Sequence, residues 1–463
     1  MKTAIRHITS SRRRQLSMAG LLTLLMTLGA TGLTSVDASQ RDDLNAMVRQ
    51  LELGYQGKDG ATLEPGAPAD LDKYLLIAQL NNNSLRAAFY KFKAAVEKLG
   101  YAGAWADPKF SWAYFVENVE TRVGPQEQRL SLSQGLKWPG KLDAKNDMAL
   151  QAAHSAYSRF QAERLSVIYR VKKAYHQFYL LGRQTELTRE NVELLRFWES
   201  VVRARYTVGL QKHPDLIKAQ VELGLLEDRL AGLSDKKRTT AAVLMAELNL
   251  SEYVELPWPG RPLLSLRSFD EDSVTAQMLA NNPDLKALQH LIEKEQAGKR
   301  LASKTSYPDF NLGLTYLVTG EADNPMMEES GKDPWMLSAS VNLPLWFGQN
   351  ESKKKEAQAR YRAAQYHRED AADRLAVLVS RIMHEYRDGR RQLALYSDQL
   401  IPRTEQLLKA TFTAYQAGES DFLTLLQAQR QLLRFQLAKD KALVTAAVKE
   451  AQLMMLMGYE SND

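Results

Sequence analysis

Histidine, cysteine and methionine ligate soft metals, and histidine and cysteine carry much of nucleophilic catalysis. This chain of 463 residues has no cysteine and seven histidines. The lack of cysteine removes a disulfide framework, a thiolate site and a lipid-modified N-terminal cysteine. His154, His176, His213, His290, His367 and His384 are scattered, mostly on segments that read as helix. None has a second histidine four residues away, the spacing that aims two imidazoles at one zinc ion. They read as solvated or helix-packed side chains. Met326-Met327, Met454, Met455 and Met457 could offer thioethers, but methionine fills cores routinely and that reading is taken. Glu405, Glu419 and Asp421 could ring a pore if copies assembled around a threefold axis, and such a ring would favour cations. Lys353-Lys354-Lys355 reads as a solvated helix start, with lipid headgroups as the alternative partner. The expectation is a chain with no catalytic grouping, no cofactor and no metal site, so not an enzyme.

The charge and the termini narrow the class. The formal net charge is +6. Residues 1–38 read as a secretory signal. Lys2, Arg6 and Arg12-Arg13-Arg14 form a basic region, Leu16 to Leu33 is apolar, and Val36-Asp37-Ala38 is a small-residue cleavage site. An uncleaved anchor is the alternative. This segment accounts for most of the positive excess, so a nucleic-acid footprint is not expected. After it, no run approaches ~18 consecutive apolar residues, which argues against a transmembrane helix. An exported chain of this kind is either soluble in the periplasm or crosses an outer membrane as a β-barrel.

What would position any functional residue is a duplicated frame, with a period of about 200 residues. Asn82-Asn83-Ser84-Leu85 returns as Asn282-Pro283-Asp284-Leu285, and Pro108 and Phe110 as Pro308 and Phe310. Trp138-Pro139-Gly140-Lys141 returns as Trp346-Phe347-Gly348-Gln349. Tyr206-Thr207-Val208-Gly209 returns as Tyr415-Gln416-Ala417-Gly418, followed in step by Ala219, Gln220, Leu223 and Ala428, Gln429, Leu432. The implied organisation is an N-terminal arm over 39–70, a first repeat over 71–250, a linker over 251–270, a second repeat over 271–458 and a tail over 459–463. The arm, with Gly54, Gly57, Gly60, Pro65, Gly66 and Pro68, reads as extended or partly disordered. Leu71 to about Ala104 reads as one helix.

Each repeat mixes two patterns. Residues 108–138 and 308–346 hold runs that alternate apolar and polar, such as Phe310, Leu312, Leu314, Tyr316 and Val318. Each is about 9–11 residues, long enough to cross a bilayer when tilted. Trp105, Trp112, Trp138, Tyr307, Trp335 and Trp346 sit where interfacial girdles would need them. Four strands are too few to close a barrel, because outer-membrane barrels start at about eight, so several chains must contribute. The other pattern is a coiled-coil seam. Leu150, Ala153, Tyr157, Phe160, Arg164, Val167, Val171, Ala174, Phe178 and Leu181 alternate spacings of three and four, interrupted at Thr185 and Thr188. Lys141 to Val208 could be one helix roughly 100 Å long. Gly209 and Gly418 would turn the two long hairpins, and Pro402 would kink the second.

On these residues the chain resembles the TolC-type outer-membrane efflux channels. The strongest match is Arg205-Tyr206-Thr207-Val208-Gly209-Leu210, with Tyr415 and Gly418 as its repeat and Gln134 to Lys141 as a strand-to-helix exit. The resemblance implies a mainly α, mixed fold. Three chains would close a trimeric 12-stranded outer-membrane β-barrel, continued by a periplasmic α-helical barrel. It implies a homotrimer held in outer-membrane lipid, a periplasmic adaptor (membrane fusion) protein, and an inner-membrane pump of RND type. The function implied is a gated passive exit duct. The adaptor would meet the tips through Arg205, Tyr206, Val208, Gly209, Leu210, Tyr415, Gly418 and Glu419. The alternative is a soluble periplasmic coiled-coil scaffold or adaptor.

Overall fold

The computed structural model describes residues 35–56, 70–209, 211–250, 254–262, 264, 268–324, 326 and 328–459. Most of the secretory-signal reading, residues 1–34, lies outside them, as do residues 57–69 of the arm. Two compact units separate at Gly54 and Tyr55. The first holds nearly all of helix α1 (Ser35–Gln56), which corrects the extended reading of the arm up to that point. Leu44, Val48 and Leu51 recur at helical spacing and outweigh the single Gly54 near the helix end.

The second unit carries both repeats. The first comprises α2 (Leu71–Asn81), α3 (Asn83–Ala102), β1 (Lys109–Val119), β2 (Gln126–Leu136), α4 (Lys141–Thr207) and α5 (His213–Glu247). The second comprises α6 (Glu271–Asn281), α7 (Pro283–Ser303), β3 (Asp309–Thr319), β4 (Trp335–Asn342), α8 (Phe347–Leu395), α9 (Ile401–Ala417) and α10 (Phe422–Met457). A π-helical turn over Tyr396–Leu400 joins α8 to α9. Pro402, in the first turn of α9, explains it: proline has no N–H to donate to the preceding turn and its ring crowds that carbonyl.

The single helix expected from Leu71 to Ala104 is two helices, broken at Asn82. The Asn82 carboxamide oxygen accepts from Ser84 N and Leu85 N at 3.0 and 3.2 Å, capping α3. Its Nδ2 donates to the carbonyl of Glu247, 3.0 Å away, at the end of α5. Asn282 repeats both actions, accepting from Asp284 N and Leu285 N and donating to the Leu456 carbonyl at 3.0 Å. One buried side chain thus caps a new helix and ties it to the end of the returning one. A cap of this kind is worth about 1 kcal/mol by itself.

The four strands form one antiparallel sheet in the order β1-β2-β3-β4. Its cross-strand rows sort by polarity. Phe110, Leu132, Leu314 and Leu337 make one row, and Trp112, Leu130, Tyr316 and Trp335 another. Between them, and so on the opposite face, Ser111, Ser131, Thr315 and Met336 make a row and Lys109, Ser133, Gly313 and Ser338 the next. The apolar rows stand open at the edge strands: Phe110 is 66 % exposed and Leu337 81 %.

The helical seam runs as its spacing predicts along α4, with Leu150, Ala153, Phe160, Val167, Val171, Ala174, Phe178 and Leu181 buried. Thr185 and Thr188 do not interrupt it. Both are buried, their hydroxyls donating to the Leu181 and Gln184 carbonyls one turn back at 2.9 and 2.7 Å. That local bond lets a hydroxyl sit in a core. One turn on, buried Asn191 accepts from Gln429 of α10, so a polar layer joins the two hairpins. The described part of the linker is packed as well: Trp258 lies 4.8 Å from Phe178 and covers Gly182, where a Cβ would come within 2.7 Å of the indole.

His176 is buried on α4 beside Lys172, and its Nδ1 has no hydrogen-bond partner among the described residues. Burial, and then the Lys172 charge, push its imidazole down to about 4. A histidine lowered in the fold is neutral there, while the unfolded chain takes up a proton below ~6.5. Its contribution to stability is therefore complete above that pH and is lost as pH falls towards 4. Thermal melts in detergent across pH 4–7 should show a smaller acid loss for His176→Gln than for the parent. Parallel losses would contradict a buried neutral imidazole.

Candidate functional site at the hairpin tips and the strand exit

The tip of the first hairpin is the turn between α4 and α5, and that of the second lies between α9 and α10. Gly209 and Gly418 take φ of +76° and +79°, and a Cβ at either would meet nothing within 4 Å. Backbone conformation, not crowding, selects glycine there. Below the turns the hairpins share one apolar cluster that includes Leu195, Trp198, Val202, Leu216, Tyr415 and Phe422.

Arg205 closes this cluster. Its guanidinium lies 5.2 Å from the Tyr415 ring centroid. It donates to the carbonyls of Tyr415 and Gln416 at 3.4 and 3.3 Å. Those carbonyls end α9, where helix geometry leaves acceptors unpaired and cations are favoured. The Tyr415 hydroxyl donates to Gln211 Oε1 at 3.2 Å, in the turn of the first hairpin. Burial pushes the phenol above its ordinary range. Each tip therefore holds the other within a single chain. The repeat puts Arg205 and Tyr415 at the two tips, and only a cation–aromatic pairing across repeats signals that they touch.

The tip residues divide by exposure. Tyr206 and Val208 are exposed at 40 % and 69 %, and Glu419 is exposed. Tyr415 is buried at 5 %, so its outward place at the tip is corrected: it seats Arg205 and packs on Phe422. Leu210 lies outside the described residues. Of the acidic residues, Asp421 caps α10 by accepting from Thr424 N at 2.9 Å. The hydrogen bonds from the Thr424 hydroxyl and amide hold its carboxyl below the ordinary range. Glu405 and Glu419 are exposed.

At the other end of the long helices Asp309, the first residue of β3, gathers the first strand exit. It accepts from Lys137 Nζ at 3.0 Å, Lys141 Nζ at 2.9 Å and the Trp138 amide at 3.0 Å. Lys141 also donates to the Tyr307 carbonyl at 2.8 Å. The Trp138 indole stacks on Tyr307 and Phe310, with centroids 5.1 and 6.0 Å apart. Trp105 and Trp346 are exposed near the strand exits. Trp112 and Trp335 instead share a row inside the apolar face with Tyr316. The six aromatics thus form two groups, one at the helix-proximal end and one within the sheet.

His154 and His290, one from each repeat, stack with centroids 5.1 Å apart, a contact that spacing within either segment does not show. His290 Nδ1 meets Gln151 Oε1 at 2.9 Å, and Glu293 stands 3.4 Å off. No group of three or more His, Cys, Asp or Glu among the described residues is arranged to hold a metal ion.

Residues 76–250 and 274–459 match the protein family described as "Outer membrane efflux protein". The chain is 25 % identical over 326 residues to "Outer membrane protein TolC" of Vibrio cholerae serotype O1, covering 66 % of this chain and 72 % of that one. It is 20 % identical over 392 residues to "Cobalt-zinc-cadmium resistance protein CzcC" of Cupriavidus metallidurans, covering 84 % and 90 %. Among solved structures, VceC of Vibrio cholerae aligns at a TM-score of 0.69 with 19 % identity, covering 84 % of this chain and 96 % of that one. CusC aligns at 0.70 with 16 % identity, covering 87 % and 97 %. The family match takes in the strands and hairpins of both repeats, and the chain belongs to the outer membrane efflux protein family.

Proposed function

We propose that this chain is the exit duct of a tripartite efflux system. It forms a homotrimer whose twelve strands close one barrel in the outer membrane and whose hairpins continue it into the periplasm. Solute reaches it from an inner-membrane pump, of RND type on the resemblance stated above, through a periplasmic adaptor protein. Conduction is passive, and no catalytic step belongs to the chain. The observation that carries this reading is the two-faced sheet, with apolar rows on one side, hydroxyl-rich rows on the other, and unpaired edges at β1 and β4. A soluble scaffold would have to cover that apolar face with other parts of itself. Adaptor contact is assigned to the exposed tip around Tyr206, Val208 and Glu419, while Arg205, Tyr415, Gly209 and Gly418 set its shape.

The resting duct is closed in this reading, because an open one would breach the outer membrane. Arg205 braces the tip of the second hairpin against the first, and splaying α9 and α10 away would break its contacts with Tyr415 and Gln416.

Two outcomes test the reading. Leu337→Arg places a cation on the lipid face, where it costs about 2–4 kcal/mol near the bilayer centre, whereas Ser338→Arg points into the lumen. Outer-membrane fractions should lose the first variant and keep the second; equal yields would contradict the assignment of faces. Arg205→Ala should raise vancomycin sensitivity in a host lacking its own exit ducts, with export retained. Unchanged sensitivity with normal export would exclude Arg205 as a brace on the closed state.

A further inference from the structure

The two repeats leave the sheet differently. At the first exit, Lys137 and Lys141 are both held by Asp309. In the duplicated pattern Lys109 stands where Asp309 does, Leu345 where Lys137 does, and Gln349 where Lys141 does. The second exit thus lacks both the acid and the two lysines it neutralises. Its cations come later, as Lys353, Lys354 and Lys355 across the second and third turns of α8. Among the described residues neither Lys353 nor Lys354 pairs with a carboxylate. Lys355 reaches Glu351 only at 3.9 Å, with both side chains largely exposed. Such a pair holds little at a surface.

Ahead of the lysines, beyond the polar stretch Gly348 to Ser352, the chain is apolar and open. Leu343, Leu345, Trp346 and Phe347 are 61 %, 65 %, 74 % and 77 % exposed. Leu343 and Leu345 extend the alternation of Leu337, Ala339 and Val341 past the end of β4. The lysines begin six residues further along the helix, about 9 Å at 1.5 Å per residue. The headgroup layer beside a hydrocarbon core is about 5–8 Å deep. Lysine side chains one layer below an apolar belt reach back to it while their stems cover apolar surface.

We propose that the segment Leu343 to Lys355 docks the headgroups of anionic phospholipids in the periplasmic leaflet, with Lys353, Lys354 and Lys355 meeting the phosphates and Trp346 and Phe347 lying along the acyl boundary. The inference rests on the outer-membrane placement of the sheet. A phospholipid is favoured over a free anion because the cations follow the apolar belt on the same segment, about two helical turns beyond Phe347.

Native mass spectrometry of the mature protein released from nanodiscs of equal phosphatidylglycerol and phosphatidylethanolamine tests this. The parent should retain phosphatidylglycerol over phosphatidylethanolamine by at least about fivefold, the factor expected of a single lysine near an anionic surface. The combined Lys353→Gln, Lys354→Gln, Lys355→Gln variant should retain the two equally. The triple Lys→Arg variant should keep the preference, which separates lost charge from lost folding. Lys145→Gln, at the matching place of the first repeat, should keep it too. Excess glycerol phosphate should not displace the lipid; displacement would assign the site to a free phosphate and overturn the proposal. A protein inserted in nanodiscs with no preference, or with one unchanged in the Gln variant, would also overturn it. Failure of the outer-membrane placement would look different: the protein would stay out of the nanodiscs altogether.

Discussion

A backbone amide or carbonyl in hydrocarbon has no water to bond, so a sheet that crosses a bilayer cannot keep an open edge. That constraint governs this molecule. One chain supplies four antiparallel strands and leaves β1 and β4 unpaired at the edges. Its rows give an apolar face and a hydroxyl-rich face, the arrangement of a wall between lipid and water. A wall of four strands does not close. In the assembly proposed above, further copies joined β4 to β1 would satisfy the edges and turn the hydroxyl-rich face into the lining of a pore. The edges that would be an aggregation hazard in water would then be the means of assembly.

The duplication makes one chain sufficient to build a repeating wall, and the departures from it carry the particular features. Asn82 and Asn282 do the same work in both halves, capping one helix while holding the end of another. Elsewhere the halves diverge. Gln429 is buried and reaches Asn191, while its counterpart Gln220 lies on the surface against Glu199. Arg205 reaches from the first tip to the end of α9, and Tyr415 answers it with its ring and carbonyl. Asp309 has Lys109 as its counterpart, so the strand exits carry different charge. Equivalent positions hold the frame, and inequivalent ones join the halves or face the surroundings.

Much of this was legible in the sequence because the periods are long and clean. Alternation over Phe310 to Val318 leaves little choice but a strand. The three-and-four spacing from Leu150 to Leu181 leaves little choice but a long packed helix. What escaped depended on tertiary contact or on a single side chain. Asn82 breaks a helix through one carboxamide, inside a segment whose apolar spacing continues across it. Thr185 and Thr188 look like a gap in the seam until their hydroxyls find carbonyls one turn back. The arm reads as extended because most of its glycines and prolines cluster after Gln56, while Leu44, Val48 and Leu51 form a helical face before it. The repeat puts Tyr415 at the tip, yet only the fold shows that it is buried under Arg205.

Everything above the single chain depends on closure of the sheet by other copies of it. Electron microscopy of the protein extracted from outer membranes in detergent tests that directly. The account predicts a threefold particle with a compact barrel at one end and a helical tube on the order of 100 Å long below it, the length of α4 at 1.5 Å per residue. A monomer that needs no detergent, or an irregular rod without a barrel, would contradict it.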